Sequence, residues 1–130
     1  MSYELYFDGA SRGNPGISSS GFVIYKNGDE IVRGGSFLGI TTNNRAEYQG
    51  LIDGLTECIE LKIKEVDVFG DSLLIIKHMR GEFKPDKLKS LFDIADGLSL
   101  NFKKITFNHI PRSLNTEADS IANQIIDDAC

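Results

Sequence analysis

Residues 3–16 read YELYFDGASRGNPG. Apolar and polar side chains alternate through residues 3–8, which is the period-two pattern of a β-strand with one buried face. The residues that follow, 9–16, are rich in Gly, Ser, Asn and Pro, which are typical of turns. The stretch therefore predicts a first strand over residues 3–8, with the carboxylate of Asp8 at its end.

Two further strands are predicted immediately after this turn. Residues 21–26 and 30–38 are rich in strand-forming side chains, and the Asn27-Gly28 pair between them is a strong signal for a tight hairpin. The first third of the chain therefore predicts an antiparallel meander of three strands.

The apolar period changes to a helical one after residue 44. Tyr48 opens a run of apolar residues at helical spacing, and Asn43 and Asn44 are the expected caps of this helix. The other predicted elements are a buried strand at residues 66–69, helices at 73–80 and 88–98, a strand at 104–110, and a last helix capped by Asn115 or Thr116. The order βββαβααβα predicts a mixed α/β fold, in which helices pack on a five-stranded mixed sheet.

Length and composition favour a single domain over residues 1–130. The chain is 41% hydrophobic, which is enough to bury one sizeable core. No apolar run approaches the roughly 20 residues that span a bilayer, and the first residues do not resemble a secretion signal. We therefore expect a soluble, cytoplasmic protein without membrane association, and a monomer.

The two cysteines, Cys58 and Cys130, form neither a CxxC pair nor a Cys/His cluster, so no zinc site is predicted. Two unrelated thiols are the simpler interpretation, and a bridge between them stays open. The net charge of -5 argues against a nucleic-acid partner, yet cations are concentrated between residues 77 and 89. They are either a phosphate-binding surface or an ordinary solvated one. The cations are Lys77, Arg80, Lys84, Lys87 and Lys89.

Four acidic residues stand where the predicted strands end or the helices begin. Asp8 and Asp71 end strands that can lie side by side in a mixed sheet, while Glu47 and Asp119 fall in first helical turns. Each acid alone has an ordinary explanation as a turn residue or as a complement to a helix dipole. Together they predict one carboxylate cluster, assembled from distant parts of the chain.

Such a cluster has a definite chemistry. Carboxylates held close together repel and raise one another's pKa unless a cation lies between them. Hard oxygen ligands suit Mg²⁺, with Mn²⁺ as a substitute. Two such ions about 4 Å apart can activate water on one side of a phosphodiester and stabilise the leaving oxygen on the other. The cluster therefore predicts phosphodiester hydrolysis.

Four segments of the chain carry a family resemblance: DGASRGNPG at residues 8–16, TNNRAE at 42–47, GDS at 70–72 and NTEADSIAN at 115–123. They resemble the signature segments of type 1 ribonuclease H, in the order of that family. Arg112 and the Ala118-Asp119 pair, in a chain without a basic protrusion, resemble the archaeal and plant-like branch. The resemblance implies a ribonuclease H fold and an endonuclease that cuts the RNA strand of RNA/DNA hybrids, leaving 5′-phosphate and 3′-hydroxyl ends.

The same resemblance implies roles for individual residues. Two Mg²⁺ ions would be held by the four acids, with Asp8 bridging both. The family places further side chains on the hybrid: three amides in its minor groove, and a hydroxyl near a phosphate of the DNA strand. The amides are Asn14, Asn43 and Asn44, the hydroxyl is that of Thr42, and Ser72 is a further expected substrate contact.

The chain also departs from the best-known bacterial pattern. The loop before the last helix usually carries a histidine that assists product release, and here Arg112 is the nearest candidate for that catalytic role. His109 falls in the preceding strand and is interpreted as structural. The chain has no Trp and no basic protrusion, and Leu73 replaces a glutamine often present there. We therefore expect weaker hybrid binding.

Two alternatives remain open from the sequence. One is a related enzyme of the same fold, such as the ribonuclease H domain of a reverse transcriptase, an exonuclease or a resolvase. The other is a non-catalytic nucleic-acid-binding module, which the loss of one acid would favour. All four acids are present.

Overall fold

The computed structural model describes residues 2–130 and contains a mixed sheet with helices. The strands are β1 (Tyr3–Gly13), β2 (Gly16–Lys26), β3 (Asp29–Gly34), β4 (Phe37–Thr41), β5 (Glu65–Gly70) and β6 (Lys104–His109). The helices are α1 (Asn43–Glu60), α2 (Leu73–Met79), α3 (Lys89–Ser99) and α4 (Thr116–Ala129). Short 3-10 turns, Asp86–Leu88 and Arg112–Leu114, precede α3 and α4. The predicted α/β class is confirmed.

The sheet combines an antiparallel half with a parallel half. Its main path runs in the order β3-β2-β1-β5-β6. Strands β1, β2 and β3 pair antiparallel, while β1, β5 and β6 pair parallel. The parallel pairing of β1 with β5, which the sequence predicted, places the carboxyl end of β5 beside the middle of β1, where Phe7 stands opposite Gly70.

The third predicted strand is divided in two. Strands β3 and β4 both pair with β2, so the sheet contains six strands although its main path has five. The break falls at Gly35 and Ser36, where Ser36 donates its N–H to the Ser20 hydroxyl at 2.9 Å. A Cβ at Gly35 would lie 2.1 Å from the Ser20 carbonyl oxygen. The chain crosses β2 so closely here that regular pairing is interrupted, a tertiary contact that the sequence pattern does not reveal.

Helices cover both faces of the sheet. Because side chains alternate along β1, Phe7 points into the large core beneath α1, which includes Tyr48 and Leu51. Ala10 points the other way and packs with Ala122 of α4 in a second apolar cluster. The two clusters explain why the central residues of β1 and most of β2 are buried.

The helices and the two cysteines bear on membrane association and on a disulfide bridge. Within residues 2–130, no helix has both the length and the apolar character needed to cross a bilayer. Cys58 is buried, Cys130 is exposed, and both are free thiols. In the structure they are separate thiols, in keeping with the simpler interpretation.

Helix α1 lies directly on β1 because glycines stand at the contact. A Cβ at Gly9 would come within 2.3 Å of the backbone of Ala46 and Glu47. In the opposite direction, a Cβ at Gly50 would lie 2.4 Å from the backbone oxygen of Asp8. Both glycines therefore permit a close approach of helix and strand that any larger residue would prevent.

We predict that Gly50→Ala destabilises the protein, although alanine has the higher helix propensity. Propensity alone would stabilise α1 by about 0.5–1 kcal/mol, whereas overpacking against a rigid backbone costs about 1–3 kcal/mol. The free energy of unfolding, measured by urea denaturation, should therefore fall.

The matched control is Gly97→Ala in α3. A Cβ there would meet nothing within 4 Å, so this exchange should raise the free energy of unfolding by about 0.5–1 kcal/mol. Equal effects at the two glycines would contradict the close-approach argument.

Candidate active site

Three of the predicted acids form a cluster. One carboxylate oxygen from each of Asp8, Glu47 and Asp71 can be chosen so that all lie within 4.8 Å of one another. Phe7 of β1 stands opposite Gly70 of β5 in the parallel register, so the next residue of each chain segment is one of these acids. Asp8 does not end its strand as predicted, because β1 continues to Gly13 through the long β1–β2 pairing.

Glu47 reaches the cluster from the start of α1. The helix begins at Asn43, and the hydroxyl of Thr42 accepts a hydrogen bond from the N–H of Arg45 at 3.3 Å. The expectation that the Asn residues cap this helix is therefore wrong. The first turn also contains no acid, so the prediction that Glu47 falls in this turn is wrong, and Glu47 lies just beyond it. The Thr42 cap and the close contact of α1 with Gly9 together fix the position of Glu47 over β1.

Burial makes the cluster electrostatically unfavourable. Desolvation, followed by the charges of Asp71 and Asp119, raises the pKa of Asp8 to about 7, against the effect of hydrogen bonds with Glu47 and the Gly9 N–H. Burial and then the Asp8 charge raise the pKa of Glu47 well above its usual range. Without a counter-charge, these groups can ionise together only at a cost.

An unpaired oxygen indicates what the cluster accommodates. Glu47 Oε2 is buried and has no hydrogen-bond partner among residues 2–130. A buried carboxylate oxygen is costly to leave without a partner. The neighbouring atoms that could bind a metal are hard carboxylate oxygens. The arrangement fits a divalent cation that prefers oxygen ligands.

Asn115 is a site residue that the sequence interpretation missed. It stands at the cap position of α4, but its side chain makes no cap hydrogen bond. Instead its Nδ2 donates to the Phe7 carbonyl at 2.8 Å and to Asp71 Oδ2 at 3.1 Å. Asn115 therefore orients Asp71. The available signals were its position next to a helix start and at the beginning of the segment NTEADSIAN, and the sequence interpretation assigned it only a cap.

Asp119 lies beside the three-carboxylate cluster and is not a member of it. It is in the first turn of α4, as predicted, and accepts a hydrogen bond from Asn123 at 3.2 Å. The guanidinium of Arg112 lies 4.0 Å from Asp119 and is 83% exposed. Because the charge of Asp119 raises the pKa of Asp8, the fourth acid faces the same site from α4.

The three predicted amides lie around two adjoining grooves. Asn14 and Asn43 line an open groove together with Arg112 and Asp119. Asn14 also borders a second groove with Asn44. Asn14 Oδ1 accepts a hydrogen bond from the backbone N–H of Asn43 at 3.0 Å, which joins the β1–β2 turn to the start of α1. The amides therefore form a continuous exposed edge next to the acids.

The second groove contains part of the basic run. Its lining includes Thr42, Arg45, Lys84 and Lys87. The other three cations have intramolecular partners: Lys77 lies 4.6 Å over the Phe83 ring, Arg80 donates to the Phe107 carbonyl, and Lys89 pairs with Asp93. Only part of the run therefore faces the predicted substrate side.

Ser72 and His109 have local structural contacts. The Ser72 hydroxyl accepts a hydrogen bond from the Ile75 N–H at 3.4 Å and so caps α2. His109 is the last residue of β6, and its Nε2 lies 3.3 Å from the Asp71 carbonyl oxygen. The location of His109 in the strand agrees with the prediction.

The chain is similar to known proteins over nearly its whole length. Residues 6–125 match the family described as reverse transcriptase-like. A bifunctional protein of Mycobacterium tuberculosis is 41% identical over 99% of the chain, and ribonuclease HI of Halobacterium salinarum is 38% identical over 97%. The chain spans 36% of the mycobacterial protein and 65% of the archaeal one.

Solved structures agree with these matches. Ribonuclease H1 from Halobacterium salinarum superposes with a TM-score of 0.94 at 35% identity, covering 98% of this chain and 99% of that one. A ribonuclease H1 named LC11, solved in complex with an RNA/DNA hybrid, gives 0.90 at 34% identity, covering 98% of both chains. The resemblance and the fold inferred from the four segments are confirmed.

We predict that Asp8→Asn stabilises the metal-free protein, and increasingly so as the pH rises from 5 to 8. The pKa of Asp8 is raised to about 7 in the folded state, against about 4 in an unfolded chain. The folded protein therefore binds the extra proton between these values, and wild-type stability falls as the pH rises through that window. Asparagine cannot ionise, so the variant does not lose stability in this way as the pH rises.

The measurement is the melting temperature of both proteins at several pH values in the presence of a chelator. The difference between variant and wild type should widen by several degrees toward pH 8 and narrow again when Mg²⁺ is added. A difference that shrinks with rising pH would contradict the repulsion argument. Asp93→Asn, which alters an exposed carboxylate on α3, controls for general charge effects.

Proposed function

Because the chain belongs to the type 1 ribonuclease H family, we propose that it is an endonuclease that hydrolyses the RNA strand of RNA/DNA hybrids. The observation that carries the proposal is the buried cluster of Asp8, Glu47 and Asp71 beside an exposed edge of amides. A relative of the same fold has been solved with an RNA/DNA hybrid, which supports this substrate.

Two Mg²⁺ ions, with Mn²⁺ as a substitute, are the proposed cofactors. Asp8, Glu47 and Asp71 would hold them, with Asp119 as the fourth ligand. When bound, the ions would supply Lewis-acid stabilisation of the phosphoryl oxygens and lower the pKa of an attacking water. Glu47 Oε2 supports this assignment because it is buried without a partner.

The chain's own residues would position the reacting groups. Asn115 holds Asp71 by a direct hydrogen bond, so this ligand needs little reorganisation when substrate binds. Glu47 is well placed to accept a hydrogen bond from a 2′-hydroxyl next to the scissile phosphate, which would require ribose on the cut strand. Arg112, exposed beside Asp119, would take the role of the loop histidine in product release.

The amide edge is the proposed minor-groove contact. Asn14, Asn43 and Asn44 are exposed, and amides can donate to or accept from groove atoms without selecting a base sequence. Thr42 would contact a phosphate of the DNA strand, since its hydroxyl proton remains available while its oxygen caps α1. Ser72 would be a further contact at the edge of the cluster.

We further propose that residues 1–130 act as one domain, as a monomer in the cytoplasm. The family match over residues 6–125 supports the single domain. Two free thiols, Cys58 and Cys130, are compatible with a reducing compartment.

The function is tested with labelled RNA/DNA, RNA/RNA and DNA/DNA duplexes, each with and without Mg²⁺. We predict cleavage of the RNA strand of the hybrid alone, only with the metal, and loss of at least a thousandfold in rate in Asp8→Asn. The products should carry 5′-phosphate and 3′-hydroxyl ends, because water and not the neighbouring 2′-hydroxyl attacks phosphorus.

Asp93→Asn serves as the control, since it lies outside the site and should cut normally. Hybrid binding without cleavage in the wild-type protein would favour the non-catalytic module. Cyclic phosphate ends, or near-normal activity of Asp8→Asn, would rule out the mechanism.

We also predict that Lys84→Ala with Lys87→Ala weakens hybrid binding and reduces its dependence on salt. Both lysines line the second groove, and each phosphate contact contributes about 0.9 to the slope of log K against log salt. Fluorescence anisotropy across a range of salt concentrations measures this slope. The rate at saturating hybrid should change little.

The matched control is Arg80→Ala with Lys89→Ala, which removes the same amount of charge from the same run. These two side chains have intramolecular partners, the Phe107 carbonyl and Asp93, so the salt slope should stay close to the wild-type value. Identical slopes in both double variants would mean that only net charge matters.

A further inference from the structure

Helices α1 and α2 are connected by a buried hydrogen bond next to the active site. Tyr48 Oη and His78 Nδ1 are 2.6 Å apart. The two rings lie nearly parallel, 16° apart, with their centres separated by 5.9 Å. Tyr48 is 0% exposed and His78 is 3% exposed. The imidazole is therefore held in a single orientation.

The hydrogen bond also determines which imidazole nitrogen carries the proton. A buried phenol needs an acceptor for its O–H, and Nδ1 of His78 is the acceptor found for it among residues 2–130. If Nδ1 accepts, the proton of a neutral imidazole must be on Nε2. Burial lowers the pKa of His78, although Asp86 opposes this effect, which favours the neutral ring.

The remaining nitrogen faces the second groove. His78 lines this groove together with Thr42, Asn44 and Lys84. Among the described residues, the Nε2 atom of His78 has no hydrogen-bond partner. The fully buried side-chain atoms that lack a partner there are Glu47 Oε2 and Asn115 Oδ1, and Nε2 is not one of them. Nε2 is therefore not fully enclosed, although His78 is only 3% exposed, and it is the nitrogen that remains to donate into the groove that His78 lines.

The groove itself is suited to an anion. Arg45, Lys84 and Lys87 contribute three positive charges to its lining, against one carboxylate from Asp86. The phosphodiester backbone of the proposed hybrid carries one negative charge per nucleotide. A neutral donor among these cations can form a directional hydrogen bond to one phosphate oxygen without adding charge.

We propose that His78, held by Tyr48 with its proton on Nε2, is a further substrate-contacting residue that donates a hydrogen bond to a backbone phosphate of the DNA strand. The inference rests on the proposed function, since it assumes that a hybrid lies in the groove with its DNA strand beside Thr42, which lines the same groove as His78. Tyr48 is a positioning residue that acts through His78. Because Tyr48 follows Glu47 in α1, the Tyr48–His78 hydrogen bond connects the DNA-strand contact to the helix that carries an acid of the cluster.

The first test is a measurement on the unmodified protein. Nitrogen-15 chemical shifts of the imidazole rings report which nitrogen is protonated, and His78→Gln identifies the His78 signals among the two histidines. We expect an unprotonated Nδ1 and a protonated Nε2, with the Nε2 signal shifting when hybrid is added in the presence of a chelator. A protonated Nδ1, or no shift on binding, would overturn the proposal.

The second test locates the phosphate. Single methylphosphonate groups, which remove one charged oxygen, are placed at each position of the DNA strand, and the Kd of each hybrid is measured in a chelator. At one position, the loss of affinity should be about tenfold smaller in His78→Phe than in the wild-type protein, as expected for a hydrogen bond to a charged group. At all other positions the two proteins should lose affinity equally.

His78→Gln is the rescue variant, because an amide can accept from Tyr48 and still donate to phosphate. It should retain most of the position-specific loss, and all three proteins should share one salt slope since the donor is neutral. Equal losses at every position in wild type and His78→Phe would overturn the inference. If His78→Phe fails to fold, the comparison is made between the wild-type protein and His78→Gln. The same position-specific loss of affinity in both proteins, together with the Nε2 shift, supports the inference. The absence of such a loss contradicts the inference.

The proposed hybrid cleavage and the phosphate contact of His78 are contradicted by different results. Hybrid cleavage by the wild-type protein without any His78-dependent position would leave the proposed function intact and remove the phosphate contact. A wild-type protein that neither binds nor cuts the hybrid would remove both.

Discussion

The direct contact between the backbones of α1 and β1 is the constraint on which the site depends. Gly9 and Gly50 stand at this contact, and a Cβ at either would come within 2.4 Å of the opposing backbone. The absence of two side chains therefore brings Glu47 over Asp8. A helix displaced by the usual width of a side chain would leave the acids too far apart to share a cation.

This proximity has an electrostatic cost that the surrounding fold must offset. The pKa of Asp8 is raised to about 7 by burial first and by neighbouring acids second, so the folded state is strained whenever the cluster is ionised and empty of cations. The central strands supply the compensation, because β1 and β5 are buried in the sheet and Asn115 ties Asp71 to the Phe7 carbonyl. The acids are held by the core and not by one another.

The same end of α1 also organises the substrate side. Thr42 caps the helix, the backbone N–H of Asn43 donates to Asn14 Oδ1 in the β1–β2 turn, and Tyr48 holds His78. About two turns of one helix therefore position the acid cluster, the amide edge and the basic groove. Movement of this helix end would alter ligand geometry and nucleic-acid contacts together, which is why a rigid, glycine-mediated contact with β1 suits the site.

The sequence by itself determined the α/β class, the order of most elements and the identity of the four acids, because hydrophobic period and short motifs are local properties of a chain. It did not determine the division of the third strand, which arises where residues 34–36 cross β2, or the cap of α1. Asn115 and His78 were likewise beyond its reach. Their roles depend on partners 44 and 30 residues away, and only folding decides which distant groups a buried donor meets.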